Sequence, residues 1–151
     1  MVLRFAICVC VVASLSCGAS PTKPATSTVT ALLAGSSSEL RVDRVWAGAP
    51  GSPTYPTSDL PESDFRPSTA STRYPMLFST SAAIVSLGDS LAIKGSLASE
   101  TAGRATYTLN EGLFAGGRLV IWQAGAELQG ELTIYGSGVP IIKSERGTVV
   151  R

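Results

Sequence analysis

An all-β domain is what this sequence predicts, either a single antiparallel β-sandwich of Greek-key or immunoglobulin-like type or a small barrel. Three observations predict it. Apolar and polar residues alternate with a period of two over several short runs, the mark of half-buried strands. Those runs recur about every eight to twelve residues, with Gly, Asn and Asp between them. Beyond residue 27 no stretch shows a helix-period apolar stripe with caps at its ends.

Taken in order, Thr28 to Ala34 reads as a first strand and Glu39 to Ala47 as a second. In the second, Leu40 and Val42 alternate with Arg41 and Asp43 until Val45-Trp46 breaks the rhythm, where a β-bulge is expected. Residues 48–75 differ in texture: Pro50, Pro53, Pro56, Pro61, Pro67 and Pro75 sit among Ser, Thr, Gly and Asp. Proline removes a ladder donor, so this stretch reads as a long extended loop. Loops of that length are usually functional or unstructured, and this one carries Tyr55, Phe65 and Tyr74 as a possible recognition surface.

Past Pro75 the strand signals are dense. Met76–Thr80 and Ala83–Leu87 are short apolar runs, closed by the turn pair Gly88-Asp89. Leu91, Ile93, Gly95 and Leu97 alternate with Ala92, Lys94 and Ser96, and Ala105, Tyr107 and Leu109 with Thr106 and Thr108. Gly116-Gly117 signals a hairpin turn before Leu119-Val120-Ile121-Trp122, a run apolar on both faces and therefore central. Leu128, Leu132 and Ile134 alternate with Gln129, Glu131 and Thr133. Gly136-Ser137-Gly138 then turns the chain into Val139–Ile142, and Arg146-Gly147 turns it into Thr148–Val150. Trp46, Trp122, Tyr107 and Phe114 read as core aromatics.

The N-terminus is organised differently. One positive charge at Arg4 precedes an apolar run from Phe5 to Leu15 and a cluster of small residues ending at Ser20, the order of a secretory signal. As a helix that run spans roughly 16 Å, against a bilayer core of about 30 Å, so it fits a cleaved signal and not a permanent span. The segment Ser14-Leu15-Ser16-Cys17 resembles the lipobox of bacterial lipoproteins. The resemblance implies lipidation of Cys17 and a cell-envelope protein held in the outer or cytoplasmic membrane by that anchor. Cleavage after Ala19, giving a secreted or periplasmic soluble protein, stays open beside it. The expected organisation is a signal at 1–19, a Pro-containing tether at 20–27 and one β domain at 28–151.

Composition narrows the chemistry. The three cysteines, Cys8, Cys10 and Cys17, lie within the signal region, so the exported domain carries no disulfide and no thiolate metal site. The net charge is +1, with basic residues scattered singly among acids, so the dense basic stripe of a nucleic-acid binder is missing. The chain contains no histidine, which removes histidine acid–base chemistry and the Ser-His and Cys-His nucleophiles.

Ala83 to Leu91, with its Gly88-Asp89-Ser90-Leu91, resembles the first block of the GDSL (SGNH) hydrolase family. That resemblance implies Ser90 as nucleophile, with its backbone N–H in the oxyanion hole. It covers about nine residues, and both the family's base histidine and its Gly-x-Asn-Asp block are missing; Thr108-Leu109-Asn110-Glu111 is the nearest string. The plain reading is a turn between two strands. Asp59, Glu62 and Asp64 could hold calcium with backbone oxygens, but their spacing matches no EF-hand and solvated acids are the simpler reading. Glu127 and Glu131 could pair for glycoside chemistry, yet on turn and strand positions both read as solvent-facing charges.

These observations point to a non-enzymatic envelope protein, without cofactor or metal, that works by contact with a protein or a surface polymer. A small-ligand or carbohydrate-binding module is the alternative, and a carboxylate-dependent hydrolase comes third.

Overall fold

The computed structural model describes residues 27–51, 59–111, 116–136 and 140–151. Among the described residues the strands are β1 (Ser37–Trp46), β2 (Phe65–Pro67), β3 (Arg73–Phe78), β4 (Ala82–Gly88), β5 (Leu91–Thr101), β6 (Arg104–Glu111), β7 (Gly117–Ala124), β8 (Glu127–Tyr135) and β9 (Ile141–Val150). Every pairing is antiparallel. From β3 to β9 each strand lies beside the next in sequence, and β9 returns to pair with β1, with Leu40 opposite Val149. The result is a closed eight-stranded barrel of β1 and β3 to β9, with β2 as an extra strand beside the C-terminal end of β1.

A Greek key needs a long connection that skips a neighbour. Here each strand from β3 to β9 lies beside the next, and of the two predicted forms it is the small barrel that the topology fits. Period-two alternation marks one buried face in either architecture, whereas closure rests on a single pairing between the two ends of the domain.

The inner face follows the alternation. Leu40, Met76, Val85, Ile93, Tyr107, Leu109, Leu119, Ile121, Leu132 and Ile134 all point inward and are buried. A barrel of eight strands is just wide enough for such side chains to fill it. Phe78 and Tyr107 meet inside with ring centroids 5.7 Å apart. Exposed positions on the outer face include Arg41, Arg73, Lys94, Ser96 and Thr108.

One end of the barrel is plugged. The predicted first strand is instead a short helix, α1 (Val29–Leu33), and its Val29 and Leu33 are buried in the barrel core. The β-branched Thr28-Val29-Thr30 run favours a strand locally, but the open end of the barrel takes its Val29 and Leu33 into the core as a helix. Thr28 caps the helix instead, its Oγ1 accepting from the Ala31 N–H at 3.3 Å. Glu100, at the end of β5, accepts hydrogen bonds from the Thr30 N–H at 2.9 Å and the Thr30 hydroxyl at 2.7 Å. Arg151 donates to the Leu32 carbonyl at 3.2 Å, so the C-terminus also holds the plug.

Two glycines sit where neighbouring backbones approach closely. Gly147 was expected to turn the chain, but it lies inside β9, which runs unbroken from Ile141 to Val150. A Cβ at Gly147 would drive into the Arg41 backbone oxygen across the β1–β9 seam. Gly95 in β5 likewise stands against the Thr108 carbonyl of β6, with no room for a Cβ. Both mark close backbone approach in a strongly coiled sheet, not turns. β1 does carry a bulge, but earlier than the expected Val45-Trp46: the register against β9 shifts between Val42 and Arg44. That shift keeps Val45 packed on the barrel core while Trp46 packs on the outer face.

The predicted long loop 48–75 contains more structure than its prolines suggest. Residues 59–67 form a strap on the outside of the barrel, built from a 3-10 turn at Glu62–Asp64 and strand β2. Asp64 sets its start by accepting from the Ala47 N–H at 2.7 Å. Pro67 ends a strand at the sheet periphery and Pro75 lies on β3, where the rest of the strand carries the pairing.

Candidate functional site

Where the strap crosses the wall, the outer face of β7, β8 and β9 is buried as well. Glu131 is 2 % exposed and lies between two arginines. Arg118 donates to its Oε1 at 3.0 Å, and Arg146 donates from Nε to its Oε2 at 2.8 Å. Arg146 also pairs with Glu62 and donates to the Leu60 carbonyl at 2.7 Å, tying strap to barrel. Its guanidinium lies 3.8 Å from the Phe65 ring centroid. Arg44 reaches Glu62 from β1. Around this charge network Leu60, Phe65, Tyr135 and Ile141 form a second apolar cluster with Trp46 against it.

Beside the strap runs a groove of about 700 Å³, floored by the outer faces of β5, β6 and β7. Its lining includes Asp59, Ser99, Arg104, Thr106, Thr108, Asn110, Arg118 and Tyr135. Strand alternation explains the polar floor: Ala105, Tyr107 and Leu109 point inward, so Thr106, Thr108 and Asn110 point out. One Asp59 oxygen lies 2.6 Å from Arg104 Nη2 and 3.5 Å from Arg118 Nη2. Arg104 also lies 5.7 Å from the Trp122 ring centroid, within cation–π range. Burial and the Glu131 charge raise the pKa of Tyr135 against the opposing pull of Arg118, keeping its hydroxyl a donor.

A third polar group lies at the barrel end opposite α1. Tyr74 bonds both Glu145 and Lys143, and Lys143 lies 3.1 Å from Glu145. Burial, then the hydrogen bond and charge of Glu145, raise the Tyr74 pKa. The register places Lys143 and Glu145 opposite Ile134 and Leu132, hence on the inner face, where they end the apolar core with a small ionic lid.

Several expectations need correction. Phe65 and Tyr74 lie on strands and are buried, 8 % and 5 % exposed; Phe65 stacks under Arg146 and Tyr74 faces Glu145, so neither is displayed to a ligand. Tyr55, Phe114 and Cys17 lie outside the described residues, as does the rest of the signal segment. Glu131, expected to face solvent, is the buried centre of the outer network, while Glu127 is exposed. Asp59 and Glu62 do not converge on a cation: each pairs with arginines, and among the described residues no group of acids is placed to hold a metal. Trp46 and Trp122 are half-buried on the outer wall, and only Tyr107 of the described aromatics expected in the core is fully enclosed. Gly88-Asp89-Ser90-Leu91 forms a two-residue hairpin with Gly88 opposite Leu91 and Ser90 exposed, and it leads into a strand, not a helix.

Arg104, Arg118, Thr106 and Asn110 were not singled out by the sequence as a site. The available signal was Leu119–Trp122, apolar on both faces, which shows that something covers this part of the wall. Comparison with protein-family models, curated proteins and solved structures finds no match to the chain.

Proposed function

We propose that this chain is an exported, non-enzymatic binding module, lipid-anchored through Cys17, that holds a small ligand or a segment of surface polymer in the groove beside the strap. The observation that carries the reading is the groove itself, about 700 Å³, with two arginines and a row of hydroxyl and amide groups converging on it. Its size falls in the range of roughly 300–1,000 Å³ usual for small-ligand sites. Rigid strands supply the floor, and the Arg118–Glu131 pair behind it fixes one recognition group in place.

The contact with a partner protein that the sequence also suggested has less behind it. Among the described residues the large exposed apolar side chains are Leu77 and Ile142, at 55 % and 42 %. Two side chains do not make the contiguous patch such a contact uses.

The test is a thermal-shift screen of the full chain, purified in detergent, against soluble glycans and metabolites. The same screen on an Arg104→Gln variant identifies groove ligands, and intact-mass analysis reads the modification of Cys17. Stabilisation by a compound that is lost in the variant is expected. Ligands that stabilise both proteins equally would move the site elsewhere, and an N-terminus beginning at Ser20 would remove the anchor.

A further inference from the structure

The position of Asp59 says what kind of ligand the groove takes. We infer that the groove binds a carboxylated sugar, its carboxylate taking the place between Arg104 and Arg118 that Asp59 now occupies. This inference rests on the groove being the binding site and names its ligand class.

The two guanidinium groups come from neighbouring strands, β6 and β7, and converge on one carboxylate oxygen. Guanidinium forks match carboxylates in shape as well as charge. Arg118 is held ready: its side chain is 10 % exposed, and Glu131 fixes it from behind. Arg104 is steadied beside Trp122. Asp59 is the least fixed of the three, with its side chain 58 % exposed. An exposed ion pair is weak, so displacing it lowers ligand affinity by about fivefold at most.

The remaining polar lining among the described residues is uncharged. Among the described residues, Ser99, Thr106, Thr108, Asn110 and Tyr135 offer hydroxyl and amide groups but neither a second acid nor a third base. That combination, one carboxylate position beside a hydroxyl-bonding floor, fits a sugar acid better than a cation, a fatty acid or a polyphosphate. Asp59 then acts as an internal competitor that sets the affinity. The prediction has an unusual sign: removing a charged residue from the site strengthens binding.

Isothermal titration of the full chain in detergent with trigalacturonate and with neutral maltotriose tests this. Trigalacturonate is expected to bind about tenfold or more tightly than maltotriose, the factor that one charge-assisted hydrogen-bond pair supplies. Asp59→Asn is expected to tighten trigalacturonate binding by about fivefold, and Arg104→Gln to weaken it by about tenfold. Added salt is expected to narrow these differences. Equal affinity for the two oligosaccharides, weaker binding in Asp59→Asn, or no heat with trigalacturonate would overturn the proposal. Equal affinity for the two sugars, with maltotriose binding that falls in Thr106→Val, would leave the groove as a site while removing the carboxylate. Silence with both sugars, together with a ligand screen indifferent to Arg104→Gln, would remove the groove as well. Circular dichroism of each variant confirms that the barrel is intact.

Discussion

The two faces of β8 are both buried, yet by opposite means. Inward, Leu128, Leu132 and Ile134 pack into an apolar core that the barrel closes by itself. Outward, Glu131, Thr133 and Tyr135 are buried under a strap that another part of the chain supplies. The inner face is held by area removed from water, at roughly 25 cal/mol per Å². The outer face is held by paired charges, whose attraction is largely offset by the cost of desolvating them. Burial alone therefore says little about how a face is stabilised. The inner face tolerates volume-conserving apolar exchange, while the outer one depends on every charge keeping its partner.

The largest expected effect breaks the outer face. Glu131→Ala leaves Arg118 and Arg146 buried without their shared counter-ion and should cost about 3–5 kcal/mol, read as a lower midpoint in urea denaturation. The triple exchange Arg118→Met, Glu131→Leu, Arg146→Met should recover that loss or exceed it, since a well-packed apolar cluster avoids the desolvation cost. Recovery would show that the network serves to position the strap and groove, and sugar binding should still be lost. On the inner face, Leu132→Ala should cost about 2–5 kcal/mol through lost transfer energy and the cavity left behind.

The smallest effect at neutral pH is at Tyr107. Its hydroxyl is enclosed with no hydrogen-bond partner among the described residues, so Tyr107→Phe should be neutral or slightly stabilising. Burial first, and the Glu100 charge second, push the Tyr107 pKa from 10.0 up to about 12. The unfolded chain then ionises before the folded one. The stability from this group is whole below pH 10 and falls by about 1.4 kcal/mol per pH unit as pH rises towards about 12. Thermal melts across that range should show a shallower alkaline loss in Tyr107→Phe, with Tyr74 and Tyr135 supplying the remainder.

Much of the strand content was legible along the chain. Leu91–Leu97, Ala105–Leu109, Leu119–Trp122 and Leu128–Ile134 each fall inside an observed strand, because alternation records a two-sided environment residue by residue. The errors share a cause. Thr28–Ala34 became a plug because a closed barrel has an end to fill, and Gly147 looked like a turn because its tight partner, Arg41, is remote in sequence. The candidate site was the least legible part. Its residues come from the strap and from four strands, β5 to β8, each unremarkable among its own neighbours.

Sequence alone determined the all-β class, the inward-facing residues and the absence of histidine chemistry, since these depend on composition and on neighbours two residues apart. Tertiary structure decided that the sheet closes, that a strap covers one outer face, and that Arg104, Arg118 and Asp59 meet. Those outcomes depend on pairings such as Leu40 with Val149 and Arg104 with Asp59, between segments that share no local pattern. Local periodicity records which side of a strand is buried; only the folded chain decides what lies on the other side.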